Sequence, residues 1–305
     1  MTAAPHQQVP DLDDAIADLR AARDAWRRED GGRHSVAHFP SRIEAERAIG
    51  DLVVALFPGR LGGYAGDSAG EDAFVDSALR RALTILQRQV TSELAYWQEE
   101  SAQVFDPSQP AMIVRLFVAE LGPIREMVDA DVRAAFLGDP AARSVDEILI
   151  CYPGVTAILH HRLAHELDSL GAPIVARIVS EVANERTGID IHPGATIGPG
   201  FFIDHGTGVV IGETAVIGAR VRLYQHVTLG ARTPHRSQPR EATGPFAERI
   251  PRHPIVGDDV VIYAGATILG RVKIGDRAVI GGNVWLLQDV APRSVIVQPE
   301  AVAAS

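Results

Sequence analysis

Residues 188–230 read GIDIHPGATIGPGFFIDHGTGVVIGETAVIGARVRLYQHVTLG. Within this stretch Ile191, Ile197 and Ile203 stand six apart, and Ile211, Ile217, Leu223 and Leu229 resume the same step. Val256, Ile262, Ile268, Ile274, Ile280 and Leu286 carry it further. Four residues beyond each anchor lies a second, mostly small set: Ala195, Phe201, Thr207, Ala215, Val221, Val227, Val260, Ala266, Val272, Ala278, Val284 and Val290. Glycine often follows the anchor, as at Gly198, Gly212 and Gly218. A step of six is neither a helix period nor the alternation of an ordinary strand. It is the spacing of a parallel β-helix of hexapeptide repeats, in which each unit makes one short strand and one turn. The anchor points into the coil and the small residue packs in the corner. One coil cannot bury its own face, so the repeats must stack.

The repeat is interrupted twice. Ile203 and Ile211 are eight apart, so two extra residues bulge out around His205-Gly206-Thr207-Gly208. Between Leu229 and Val256 a long polar segment intervenes, carrying Arg232, His235, Arg236, Arg240, Arg249, Arg252 and His253. Solenoids tolerate insertions at corners, and such insertions commonly line a binding face.

Before Gly188 the period is helical. Leu12, Ile16 and Leu19 recur at helix spacing, and so do Ala45, Ala48, Ile49, Leu52 and Val53 within 43–56. Helices are also predicted over 73–99, 112–136, 155–170 and 174–185, with turn-rich connections at 31–40 and 58–70. The domain reading is therefore a helical domain over 1–187 and a β-helix over 188–305 with an inserted loop at about 231–254, an α+β chain.

At 46% hydrophobic and 22% charged the composition is that of a globular protein, not of a disordered or collagen-like one. The single Cys151 excludes an internal disulfide and any multi-cysteine zinc site, fits a reducing compartment, and reads as a small buried hydrophobe. The first fourteen residues hold no Lys or Arg and no apolar core, so no signal peptide is expected, and no apolar run is long enough to span a membrane. These features point to the cytoplasm. A formal charge of -10 argues against nucleic-acid binding.

Eleven histidines need sorting. His6, His34 and His38 lie in termini or loops. His160, His161 and His165 share one predicted helix, and they read as a polar face rather than a metal pair, since no HExxH pattern or third ligand accompanies them. His205 differs, because the bulge places it outside the coil beside Asp204. Asp190 lies fifteen residues earlier, a spacing that permits contact with it. An acid beside a histidine would fix its tautomer and stabilise the imidazolium.

Several runs together resemble the serine O-acetyltransferases. They are Asp190-Ile191-His192-Pro193, Ile203-Asp204-His205-Gly206-Thr207-Gly208, Gly212-Glu213-Thr214-Ala215, Val227-Thr228-Leu229-Gly230 and Arg252-His253-Pro254. Upstream, Asp139-Pro140-Ala141 and Tyr152-Pro153-Gly154, with His161-Arg162 and Ala164-His165, look like that family's last helices. The likeness spans roughly 139–290. It implies a left-handed β-helix, assembly as trimers or dimers of trimers, and transfer of acetyl from acetyl-CoA to the L-serine hydroxyl, a step in cysteine biosynthesis, with no metal. By the same likeness His205 would be the general base and Asp190 its orienting partner. Asp139 and Asp204 would hold the serine ammonium, and Arg252 and His253 would lie near its carboxylate. Glu213 matches a motif position in the substrate site without an assigned role. Gly230, Ala264 and Gly282 would expose backbone to the pantetheine arm.

The chemistry suits these groups. A serine hydroxyl is a poor nucleophile until a base takes its proton, and a histidine near neutrality can then protonate the leaving thiolate. A backbone N–H is the expected oxyanion donor. The inserted loop is longer than in the shortest family members, and the segment 292–305 carries no clear anion clamp for the cofactor phosphates. The end Ala303-Ala304-Ser305 lacks the isoleucine of the family's partner-binding tail, which argues against a complex with O-acetylserine sulfhydrylase. Competitive inhibition by L-cysteine is expected from its likeness to serine. The alternatives are transfer to another hydroxyl acceptor such as a sugar, a zinc hydratase using His192, His205, His226 and His253, and a non-catalytic scaffold.

Overall fold

The computed structural model describes residues 12–29, 39–101, 104–232, 245 and 249–299. His6, His34, His38, the insertion's His235, Arg236 and Arg240, and the Ala303-Ala304-Ser305 end lie outside them. The chain divides into two compact units, 1–39 and 40–305. The first holds helix α1 (Asp13–Glu29), which opens on Asp13 and Asp14 and closes on Arg27 and Arg28, the charge order that suits the helix dipole.

The second unit opens with helices α2 (Arg42–Leu56), α3 (Ser68–Ser101), α4 (Gln109–Gly138), α5 (Val145–Cys151), α6 (Pro153–Ser169) and α7 (Pro173–Thr187). Ala45, Ala48, Ile49, Leu52 and Leu56 form the buried stripe of α2, and Ile49, Leu52 and Leu56 join Leu86, Phe117 and Leu163 in the helical core. Helix α5 is too short for its periodicity to register, but its start was readable: Ser144 Oγ accepts from the Glu147 N–H at 3.0 Å. Cys151 at its end is exposed, not buried as expected, because it closes a short surface helix. Gly188, at φ 68°, ends α7 in the left-handed conformation.

The expectation of a polar histidine face on α6 is also overturned. His160 and His161 are buried together with Arg162, because α6 is covered by α4 on one side and by α7 and the first coil on others. His160 Nδ1 satisfies itself on the Thr156 carbonyl at 2.7 Å, and His165 Nδ1 lies 2.8 Å from the Pro193 carbonyl. Burial drives the His161 pKa well below its ordinary value. Among the described residues no helix is long and apolar enough to cross a membrane.

From Asp190 the chain winds into three parallel sheets. The first holds β1 (Asp190–Ile191), β4 (Val210–Ile211), β7 (Thr228–Gly230), β10 (Thr267–Leu269) and β13 (Trp285–Leu286). The second holds β2 (Thr196–Ile197), β5 (Val216–Ile217), β8 (Ile255–Val256) and β11 (Lys273–Ile274). The third holds β3 (Phe202–Ile203), β6 (Arg222–Leu223), β9 (Val261–Ile262), β12 (Val279–Ile280) and β14 (Val295–Ile296). Every predicted anchor is the second residue of a strand, and all but Leu286 are fully buried. Strand β14 extends the stack beyond the last predicted anchor and pairs with β12.

Register records the two interruptions. Val210 pairs with Thr228, eighteen positions on, as three hexads require. Asp190 pairs with Val210 twenty positions on, so the bulge adds two residues. Thr228 pairs with Thr267 thirty-nine positions on, so the insertion adds twenty-one. The bulge also corrects one inward residue: Thr207 is exposed, and Val209 fills the corner in its place.

Candidate active site

The turns from the third sheet to the first stack into one corner of the solenoid. His205 follows β3, Gln225 and His226 follow β6, Ala264 and Gly265 follow β9, and Gly282 and Asn283 follow β12. Backbone bonds tie successive turns: His226 N–H to the Thr207 carbonyl at 2.8 Å, Gly265 to Gln225 at 3.0 Å, and Asn283 to Ala264 at 2.9 Å. Ala264 and Gly282 thus stack above the His205 turn at one corner of the solenoid.

His205 adopts φ 60° in the bulge, and its side chain is 71% exposed. Its Nε2 lies 3.8 Å from Oδ1 of Asp204, whose carboxylate is buried. Asp204 Oδ2 accepts from Arg222 Nη2 at 2.7 Å, and Arg222 Nη1 donates to the Gly138 carbonyl at 2.6 Å. Asp139, the residue that caps α4, stands next along the chain. Its Oδ2 accepts from the Tyr152 hydroxyl at 2.5 Å and its Oδ1 from the Ala141 N–H at 2.8 Å. The Tyr152 hydrogen bond, the Ala141 bond and the nearby Arg222 and His205 charges hold Asp139 below its ordinary pKa. Tyr152 in turn is pushed up to about 12, chiefly by that bond to Asp139. Asp139, Asp204 and His205 therefore form one acidic cluster with a histidine at its mouth.

Asp190 is placed differently. It opens β1, and its carboxylate faces Arg177 of α7 at 3.8 Å. Burial raises its pKa against the pull of Arg177. The acid paired with His205 in the structure is Asp204.

The remaining predicted residues gather at the opposite edge of the first sheet, where its turns lead to the second. Glu213 Oε2 accepts from Arg252 Nη2 at 2.6 Å, and its Oε1 lies 3.5 Å from Arg249 Nε. Arg249 Nη2 also reaches the buried Asp168 of α6 at 2.6 Å. His253 is buried with Nδ1 3.0 Å from the Thr214 N–H and 2.9 Å from its hydroxyl. Burial first, then Arg252, lowers the His253 pKa. Gly194 and Gly212 make this packing possible, since a Cβ on either would overlap the Arg249 guanidinium or the His253 ring. Gly230 closes β7 on this same side, where the insertion begins.

The predicted residues therefore divide. Asp139, Asp204, His205, Ala264 and Gly282 lie at one edge of the first sheet, and Glu213, Arg252, His253 and Gly230 at the other. Sequence reasoning missed Arg222, Tyr152 and Arg249 as parts of these clusters. Arg222 left one signal, a charge at a strand position between the aromatic Phe202 and Tyr224. Among the described residues no group of three or more His, Cys, Asp or Glu is arranged to hold a metal ion.

Residues 253–288 match the family model for the bacterial transferase hexapeptide (six repeats). The plasmid serine acetyltransferase of Synechococcus elongatus is 48% identical over 268 residues, which cover 86% of this chain and 82% of that protein. The serine acetyltransferase of Mycobacterium tuberculosis is 48% identical over 167 residues, 55% of this chain and 67% of that protein. The crystal structure of serine acetyltransferase isoform 3 from Entamoeba histolytica, in complex with cysteine, matches with a TM-score of 0.70 at 34% identity, covering 85% of this chain and 83% of that one. The stacked sheets are accordingly a left-handed β-helix of hexapeptide repeats behind an all-helical segment.

Proposed function

Because the chain belongs to the serine acetyltransferases, a family of acyltransferases, we propose that it moves the acetyl group of acetyl-CoA to the hydroxyl of L-serine at sites formed between neighbouring copies. The observation that carries this reading is the pair of acids, Asp139 and Asp204, held beside an exposed histidine. An amino-acid ammonium needs fixed carboxylates, whereas a sugar acceptor has no charge for them to meet.

In this reading His205 accepts the hydroxyl proton as the serine oxygen attacks the thioester carbonyl carbon. It then returns that proton to the departing thiolate, so the carbon–sulfur bond breaks as the ester forms. Asp190 orients His205 once the exposed imidazole turns toward the first sheet. Asp139 and Asp204 receive the ammonium. Arg252 and His253 receive the carboxylate, with Glu213 steadying Arg252. Acetyl-CoA supplies the activated acyl group, and the small residues Ala264, Gly282 and Gly230 let its pantetheine arm approach the backbone.

A serine molecule is far too short to touch both edges of the first sheet on one chain. A threefold ring would set the His205 edge of one copy against the Arg252 edge of the next, a heterologous contact that closes on itself. The functional division is then 188–305 for the catalytic ring and 1–187 for assembly and the Asp139 half of the pocket, with hexamers as dimers of trimers. The reading also includes a cytoplasmic location, no sulfhydrylase complex, and competition by L-cysteine, which the cysteine-bound relative supports.

The test is thiol release from acetyl-CoA with L-serine. We expect serine-dependent release that falls by about 10²-fold or more in His205→Ala. No release from the folded wild type would overturn the serine assignment and send the search to other hydroxyl acceptors. Sedimentation reporting a monomer at assay concentration would overturn the shared site.

A further inference from the structure

We infer that Arg222 is the positioning residue of the acceptor pocket: it locks Asp204 and the Asp139 turn at one spacing and leaves the two acids a net charge of one for a single ammonium. This deepens the serine reading above and rests on it.

Arg222 stands on the outward face of the third sheet, in a column with Phe202, Val261, Val279 and Val295. It is the one charge in that column. Both of its Nη groups are used, while the buried Nε has no hydrogen-bond partner among the described residues. One Nη donates to Asp204 at 2.7 Å and the other to the carbonyl of Gly138, the residue before Asp139, at 2.6 Å. The guanidinium lies over two aromatic rings, 4.9 Å from the Phe202 centroid and 4.7 Å from that of Tyr224. Tyr224 is itself stacked on Tyr263 at 5.0 Å.

Gly138 shows how closely the parts are fitted. A Cβ there would lie 3.0 Å from the Phe202 ring and 3.5 Å from Arg222 Nη1. A side chain on the last residue of α4 would press on the Phe202 ring, which would have to give by a few tenths of an ångström. Tyr152 fixes Asp139 from the far side through the 2.5 Å hydrogen bond.

The charge count explains why a cation belongs in a site for a cation. Two carboxylates converging on one ammonium would repel each other and splay apart in its absence. One guanidinium, bonded to the Asp204 carboxylate and to the carbonyl just before Asp139, removes half of that charge and supplies the geometry, while Asp204 Oδ1 stays turned toward His205. Lysine could restore the charge but, as a point donor, could not fork to both acceptors.

The experiment compares wild type, Arg222→Met and Arg222→Lys by steady-state thiol release, varying L-serine and acetyl-CoA separately. We expect the KM for L-serine to rise about 10-fold or more in Arg222→Met, with kcat and the KM for acetyl-CoA within about 3-fold of wild type. Arg222→Lys should recover part of the loss, and it carries the test alone if the Met variant does not fold. A serine KM within about 2-fold of wild type in the folded variants would overturn the inference, as would a parallel loss in both KM values and kcat. A wild type with no serine-dependent release would instead overturn the activity itself, so the two failures are separable.

Discussion

Glu93 is a carboxylate without access to water. It accepts from the Ile174 and Val175 N–H groups at 2.7 and 2.8 Å, capping the start of α7 from another helix, and from Trp97 Nε1 at 3.1 Å. Burial outweighs these bonds and pushes its pKa up to about 7 from 4.5. A raised pKa means that the folded state binds the proton more tightly than the unfolded chain does. The associated stability is fully present below about 4.5 and is lost as pH rises through about 7. Glu93→Gln should therefore flatten the dependence of Tm on pH across that window, a result thermal denaturation at several pH values can check. An unchanged slope would mean that Glu93 titrates normally. Nothing in the sequence around Glu93 announces this role, because the backbone groups it caps lie some eighty residues away. The residue-scale features that did announce themselves, His205 in its bulge and the Asp204 beside it, are those whose setting is local.

At the scale of elements, the first coil and α6 meet at Gly154. A Cβ there would fall well inside van der Waals contact of the Ile203 carbonyl, a backbone atom that cannot swing away. Ile203 immediately precedes Asp204 and His205, so a shift at this contact moves the acidic cluster. Gly154→Ala should cost about 1–3 kcal/mol of stability, as overpacked sites do, and should lower serine turnover beyond what that loss explains. Denaturant melts and thiol-release kinetics on the same preparation would separate the two effects. The stacked strands were legible because a repeated six-residue rule signals its own fold. Helix α5 escaped because seven residues complete barely two turns, too few for a period to emerge.

For the second compact unit as a whole, Arg162 is the bolt between helices and solenoid. Its guanidinium pairs with Asp131 of α4 at 2.7 and 3.0 Å and also donates to the carbonyls of Ile197 and Gly198 at 3.0 and 2.9 Å. Asp131 in turn accepts from the Phe201 N–H at 2.8 Å. Both side chains are almost fully buried. Arg162→Met would leave Asp131 charged or protonated in the interior, together with two orphaned carbonyls. The expected loss is about 3–5 kcal/mol, read from urea midpoints. A loss under about 1 kcal/mol would mean that water reaches the site in the variant and takes over the bonds. This network also explains why α6 was misread. His160, His161 and Arg162 are polar letters, and only the packing of α4, α7 and the first coil around them makes them interior groups.

The sequence by itself determined the parallel β-helix, its strand positions, its two interruptions and the helical character of what precedes it. Those follow from periodicity, which depends only on residues near one another along the chain. It also singled out the candidate residues of the proposed site, through motifs that lie within single turns. The tertiary structure decided where those residues stand. It set Asp139 beside Asp204 by docking the end of α4 on the third sheet, and it set Arg252 and His253 at the far edge of the first. It also supplied the side chains that hold them, Arg222, Tyr152 and Arg249, whose partners are between 13 and 84 positions distant. Such contacts carry no local signature. They arise only when a helix end, a sheet corner and an inserted loop are packed together.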